Sequence, residues 1–187
     1  MAIKVYIDQG HNPTNPNSGA EGNGYREQDL VYTIGVLTAD ILRGRGFDVR
    51  LSRPAPTTQL GTSNSSSLAA RANGANSWGA NIFISLHANS SDNPSASGQE
   101  AFVYSTSSPA LPLAENILTQ LNLATGLRNR GVTARPNLYV LRRTAMPATL
   151  VELGFITNAT DANLMATRPD LFALGVANGV SAFYGQL

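Results

Sequence analysis

The chain has 187 residues, enough for one full hydrophobic core and too few for two ordinary domains. Apolar residues make up 42% and charged residues 13%, with a net charge of +1, so the surface is rather neutral and nucleic-acid binding has no electrostatic footprint. The absence of cysteine excludes disulfides, thiolate nucleophiles and cysteine zinc knuckles, and no apolar run is long enough to form a membrane span.

Strand-like sequence begins at Ile3 without a basic stretch and an apolar stretch ahead of it, so no signal peptide is read. That implies export by another route, or a leader and neighbouring domains outside this sequence. The first expected strand is residues 4–8, followed by a loop dense in Asn, Pro and Gly over residues 12–23. A helix over residues 27–45 follows. Leu30, Ile34, Leu37, Ile41 and Leu42 recur at helical spacing, and Gly44 and Gly46 end it. A strand at 48–52, a Ser/Thr-rich loop at 54–67 and a helix at 66–78 come next. Strands are expected at 82–87 and 99–104, and a helix at 109–125 with Pro109 near its start and Gly126 as its C-cap. Two more strands, 138–141 and 148–153, and two helices, 159–167 and 169–184, complete the chain. Strands alternating with helices predict an α/β fold with a parallel-type sheet. There is no internal repeat and no interdomain linker, so residues 1–187 read as one domain.

Only two histidines occur, and each follows an apolar, β-branched run: His11 after residues 3–10 and His87 after residues 82–86. At the carboxyl ends of parallel strands, both would sit where open α/β sheets hold ligands, and imidazole is a frequent metal ligand. A catalytic zinc site of three ligands and an open position would then need a carboxylate as its third ligand. Asp8, Glu21, Glu27 and Asp29 are the candidates near His11. Glu27 opens the first helix, where a carboxylate also complements the helix dipole, so ligand and dipole roles both remain open. Glu152 lies inside the apolar run 148–155, where an ionised carboxylate is costly unless it is paired or functional. It reads either as a general base beside a metal-bound water or as the structural partner of Arg142 or Arg143. Glu100 reads as a solvent-facing strand residue. No Ser stands in a G-x-S-x-G context, and the loop glycines spell no nucleotide-binding fingerprint.

Seven ordered blocks carry a resemblance over nearly the full chain. They are Asp8-Gln9-Gly10-His11, residues 24–30 (GYREQDL), 68–73 (LAARAN), 83–89 (FISLHAN), 125–132 (TGLRNRGV), 138–142 (LYVLR) and 146–158 (MPATLVELGFITN). Together they resemble the zinc-dependent N-acetylmuramoyl-L-alanine amidases of the amidase-3 type, bacterial and phage enzymes that cut peptidoglycan. The resemblance implies a three-layer α/β/α fold, phosphorylase/hydrolase-like, around a mostly parallel twisted six-stranded sheet. It implies one zinc ion on His11, Glu27 and His87, with zinc-bound water as nucleophile and Glu152 as general base and acid. Asn89, Arg128, Arg130 and Arg142 lie in the shared blocks and are candidate substrate contacts, the arginines through bidentate pairing with stem-peptide carboxylates. Two departures bear on the cleft wall: Asn12-Pro13-Thr14-Asn15-Pro16 replaces the usual pair of glycines and aspartate, and Gln28 replaces the usual lysine.

Some members of the family carry an inserted helix that plugs the site, between the strands matching 99–104 and 138–141. Here that interval holds one expected helix and its loops, which predicts an open site needing no activating partner. The expected partner is peptidoglycan alone, with no nucleic acid and no membrane span, and the expected place of action is the bacterial cell wall. Two other functions fit parts of the pattern. A zinc carboxypeptidase-type enzyme also uses two histidines and a glutamate, but its His-x-x-Glu spacing is absent after His11. A wall-binding module that has lost catalysis would show a broken ligand set, and none is seen.

Overall fold

A computed structural model describes residues 2–186. Its main sheet has six strands in the order β4-β1-β5-β8-β6-β7, with β1 Lys4–Gln9, β4 Asp48–Leu51, β5 Ile82–Asn89, β6 Gln99–Val103, β7 Asn129–Ala134 and β8 Ala148–Phe155. The strands β4, β1, β5 and β8 run parallel, β6 pairs antiparallel with β8, and β7 pairs parallel with β6. A small hairpin, β2 Glu21–Gly22 with β3 Tyr25–Arg26, stands apart.

Alternation along the strands divides the side chains between two faces. Val5, Ile7, Ile82, Ile84, Leu86, Val151 and Leu153 face one layer of helices: α1 Glu27–Gly44, α3 Leu111–Thr125 and α6 Pro169–Phe183. There α6 packs against both α1 and α3. Tyr6, Phe83, Phe102 and Leu150 face the other layer, formed by α2 Asn64–Trp78 and the short α4 Tyr139–Arg143. The expected α/β/α layering with a mostly parallel six-stranded sheet is what the chain adopts. A further helix, α5 Ala159–Thr167, follows the end of β8.

One expected strand is wrong. Residues 139–143 are the helix α4, whose Val140 and Leu141 are buried in the second core. The short Leu-Tyr-Val-Leu run carries the composition of a strand, and packing across the sheet decides otherwise. The sixth strand is instead β7, which the sequence hid. As an edge strand it is half-buried to exposed throughout, so it has no apolar alternation to read. The interval expected to hold one helix and its loops therefore also holds a strand. The expected 12–23 loop also contains the first hairpin strand, and the second strand lies at its far end.

The helix α2 starts two residues earlier than its apolar periodicity suggests, because Ser63 and Ser66 form a capping box. The Ser63 hydroxyl accepts the Ser66 N–H at 3.1 Å, and the Ser66 hydroxyl accepts the Ser63 N–H at 2.9 Å. At the other end of α2, Trp78 lies between Arg50 and Lys4, whose charges stand 4.7 and 5.3 Å from its ring centre. Ser63→Ala should lower the unfolding free energy by about 1 kcal/mol, measured by urea denaturation with an unchanged m-value.

Candidate active site

The carboxyl ends of β1 and β5 lie side by side, with Gln9 opposite Leu86. His11 follows two residues beyond β1 and adopts φ +63°, a left-handed conformation uncommon for a residue with a side chain. Gly10 lets the chain pass close beneath the second imidazole: a Cβ there would meet His87 Cε1 at 2.5 Å. His87 projects from β5 on the face that carries α2 and α4, paired across the ladder with Glu152 on β8.

Glu27 is the first residue of α1 and only 3% exposed. The loop and hairpin before it fold back, with the Glu27 N–H donating to the Ala20 carbonyl at 2.9 Å. Its Oε2 accepts the Ala20 N–H at 2.9 Å, and its Oε1 accepts the Ala88 N–H at 3.0 Å. The same Oε1 lies 3.1 Å from His11 Nε2 and 3.0 Å from His87 Nδ1. Gly19 leaves room for this turn, since a Cβ there would stand 2.9 Å from Glu27 Oε2. Burial alone would raise the Glu27 pKa. Hydrogen bonds and charge from the two imidazoles outweigh it and hold the carboxyl well below the usual range.

His11, Glu27 and His87 thus offer one ligand atom each, all within 4.8 Å of one another. A tetrahedral zinc with ligand bonds near 2.0–2.1 Å sets neighbouring ligand atoms about 3.3 Å apart. The two histidine-to-carboxylate separations are close to that, so the residues present fit such an ion. The other candidate ligands do not join them. Asp8 is buried against Arg71, Glu21 is exposed on the hairpin, and Asp29 is exposed with Arg26 3.5 Å away.

Glu152 keeps some exposed surface, but its Oε2 is sealed from solvent and has no hydrogen-bond partner among the described residues. Neither Arg142 nor Arg143 pairs with it. Burial foremost, then the charges of Glu27 and Glu100, push its pKa up to about 8, and Arg135 partly opposes them. Glu100 is not the solvent-facing bystander its strand position suggests. It stands opposite Glu152 across the antiparallel ladder, half-buried, and accepts a hydrogen bond from Asn89 Nδ2 at 2.6 Å. The signal missed in the sequence was the reversed direction of β6, which brings the start of that strand to the rim where β8 ends.

A cavity of about 140 Å³ opens beside the histidines. Asp8, Gly10, His11, Asn17, Leu68, Arg71, His87, Leu138, Tyr139, Val140 and Leu150 line it, so its walls come from the ends of β1 and β5 and from α2 and α4. Glu152 lies two residues from Leu150, on the same face of β8. The candidate substrate contacts divide. Asn89 is at the rim but committed to Glu100. Arg128 and Arg130 are exposed where β7 starts, at that same end of the sheet, and Arg130 lies 5.2 Å from the Phe155 ring centre. Arg142 is not brought to the histidines: it lines a separate hollow with Tyr104, Met146 and Pro147.

Two imidazoles and a buried carboxylate at the carboxyl ends of parallel strands, beside a second carboxyl whose pKa is raised, form a donor set that fits a metal ion on an α/β/α fold. Comparison with known proteins defines the class further. Residues 5–182 match the Amidase_3 family, described as N-acetylmuramoyl-L-alanine amidase, and the chain belongs to that family of amide hydrolases. It is 35% identical over 181 residues to the sporulation-specific N-acetylmuramoyl-L-alanine amidase of Bacillus subtilis, covering 95% of this chain and 67% of that protein. It covers only 35% of another Bacillus subtilis amidase, LytC, at the same identity. Among solved structures, the catalytic domain of the CwlV amidase from Bacillus (Paenibacillus) polymyxa var. colistinus superposes with a TM-score of 0.86 at 29% identity, covering 99% of both chains. The CwlD amidase from Clostridioides difficile, solved in complex with the GerS lipoprotein, has a TM-score of 0.90 at 21% identity over 98% of both chains and shows the same fold.

The titration behaviour of the buried acids gives opposite pH effects. Asp8 is held low: burial raises it, but the Arg71 charge and hydrogen bonds from Ser85, Ser52 and Arg71 prevail. Stability from Asp8 is therefore present above its unfolded value of 3.8 and lost as pH falls through the lower folded value. Asp8→Asn should cost about 3–5 kcal/mol at neutral pH, by leaving Arg71 buried without its partner, and should flatten the acid limb of a melting-temperature profile. Glu152 behaves in reverse. Its folded pKa lies above the unfolded 4.5, so metal-free protein loses stability as pH rises from there through about 8. Glu152→Gln should remove that loss, so calorimetry of the metal-free proteins should show the variant gaining on the parent between pH 5 and roughly pH 8.

Proposed function

We propose that this chain is a single catalytic domain that hydrolyses the amide bond between N-acetylmuramic acid and the L-alanine of the stem peptide, acting on the bacterial cell wall. The observation that carries the reading is the convergence of His11, Glu27 and His87 at one sheet rim with Glu152 on the neighbouring strand. His11 through Nε2, His87 through Nδ1 and Glu27 through Oε1 would hold one zinc ion. When bound, zinc supplies positive charge that activates water near neutral pH and stabilises the oxyanion formed at the amide carbonyl.

The protein's own groups do the rest. Glu152 takes the proton of the attacking water and returns it to the departing L-alanine amine, so the peptide leaves as a neutral amine. Burial, with the charges of Glu27 and Glu100, raises its affinity for that proton, which suits the uptake step. The Ala88 and Ala20 N–H groups keep Glu27 oriented while both imidazoles face it. The cavity between α2 and α4 receives the scissile region, walled by Leu68, Leu138 and Leu150. Arg128 and Arg130 are placed to meet stem-peptide carboxylates along the β7 side, and Asn89 contributes by holding Glu100. Arg142 has no part in this arrangement.

The 21% and 18% exposure of the His11 and His87 side chains supports a site that is reachable as folded and works without an activating partner. The purified protein alone should release peptides with a free L-alanine amine from purified sacculi, read by mass spectrometry, and a chelator should stop it. Release of peptides cut elsewhere, or digestion only after a second protein is added, would overturn the corresponding claim. Glu152→Gln should lower turnover at least about 10²-fold with zinc content unchanged by metal analysis, whereas His11→Ala and His87→Ala should lose the zinc.

A further inference from the structure

Behind the two histidines runs a buried chain of polar groups that the chemistry above does not use. Arg71, from α2, is 1% exposed. Its Nη1 donates to Asp8 Oδ1 and to the Gln9 carbonyl, both at 2.6 Å. Its Nη2 donates to the His11 carbonyl at 2.5 Å and to Asn12 Oδ1 at 3.2 Å. Asp8, equally buried, accepts the Ser85 hydroxyl on its other oxygen at 2.7 Å. Ser85 Oγ then lies 3.2 Å from His87 Nε2.

The direction of each bond follows from the groups themselves. An ionised carboxylate only accepts, so the single Ser85 proton goes to Asp8. The Ser85 oxygen is left as an acceptor, which places a proton on His87 Nε2 and leaves Nδ1, the nitrogen facing Glu27, as the atom with a lone pair for a metal. At the other end of the pair, Arg71 grips the carbonyl of His11, the residue whose backbone sits at φ +63°. Stability alone is a weak reason for such a pair, because well-packed apolar residues often replace a buried ion pair without loss. Contact with both histidine segments is a stronger one.

We infer that Arg71 and Asp8 are positioning residues of the metal centre: a single ion pair locks the His11 turn and, through Ser85, fixes the ring and tautomer of His87. This rests on reading His11, Glu27 and His87 as ligands.

The test uses the whole chain, stripped of metal, with zinc affinity measured at neutral pH by competition with a chromophoric chelator. Ser85→Ala removes one hydroxyl and leaves the ion pair in place. It should weaken zinc binding about 10–100-fold, the usual effect of losing a group that orients a metal-bound histidine. The melting temperature of the metal-free variant should stay within a few degrees of the parent, and the visible bands of its cobalt(II) form should shift. Arg71→Lys keeps the charge but not the planar fork, so its loss should be at least as large. Should Arg71→Lys fail to fold, Ser85→Ala decides. Affinity within about twofold of the parent and an unchanged cobalt spectrum in Ser85→Ala would overturn the inference while leaving the ligand assignment standing. A parent protein that binds no zinc would overturn both.

Discussion

The carboxylate of Glu27 is the group around which the site is assembled. A charge only 3% exposed is costly unless it is compensated, and here two backbone N–H donors and two imidazoles from three separate segments face it. The loop before α1 gives the Ala20 N–H, β5 gives Ala88 and His87, and the turn after β1 gives His11. Each segment must be in place for the carboxylate to be tolerated, so satisfying one buried anion aligns the ends of β1 and β5 with the start of α1. The dipole and ligand roles that the sequence left open for Glu27 are not exclusive. A carboxylate at the first position of a helix is favoured by the dipole and still presents an oxygen to both imidazoles.

The sheet separates the labour between its faces. On one side α1, α3 and α6 bury an almost wholly aliphatic core, which gives the rim a rigid support. The other side becomes polar towards the carboxyl ends of the parallel strands: Tyr6 then Asp8 on β1, Phe83 then Ser85 and His87 on β5, Leu150 then Glu152 on β8. The transition from packing to chemistry takes place within two residues along each strand. The reversed strands β6 and β7 bring their beginnings to that rim, which is how Glu100 arrives opposite Glu152 and Arg130 beside Phe155.

Much of this was legible in the sequence. The apolar runs before His11 and His87, the helical spacing after Glu27 and the misplaced charge of Glu152 each left a direct mark, because strands buried on both faces and amphipathic helices impose strong patterns. The family resemblance was carried by the same blocks. What escaped was set by tertiary placement. An edge strand such as β7 needs no apolar pattern, and residues 138–141 resemble a strand until the packing of Val140 and Leu141 beneath α2 is known. Arg71 and Ser85 looked like ordinary residues of a helix and a strand, since nothing local records that a side chain 63 positions away in sequence is Asp8. Arg142 shows the converse: membership of a shared block did not bring it to the histidines.

The placement of Trp78 has a practical consequence. It is the single tryptophan of the chain, and it ends α2 at the edge of the sheet where β1 begins, with Lys4 Nζ donating to its carbonyl and Arg50 against its ring. The histidines lie at the opposite edge. Its fluorescence is thus a spectroscopic probe of whether β1, β4 and α2 remain docked, and it has no direct view of the cleft. A change in emission signals loss of the scaffold, whereas silence during metal removal or substrate turnover signals that the far edge of the sheet has not moved.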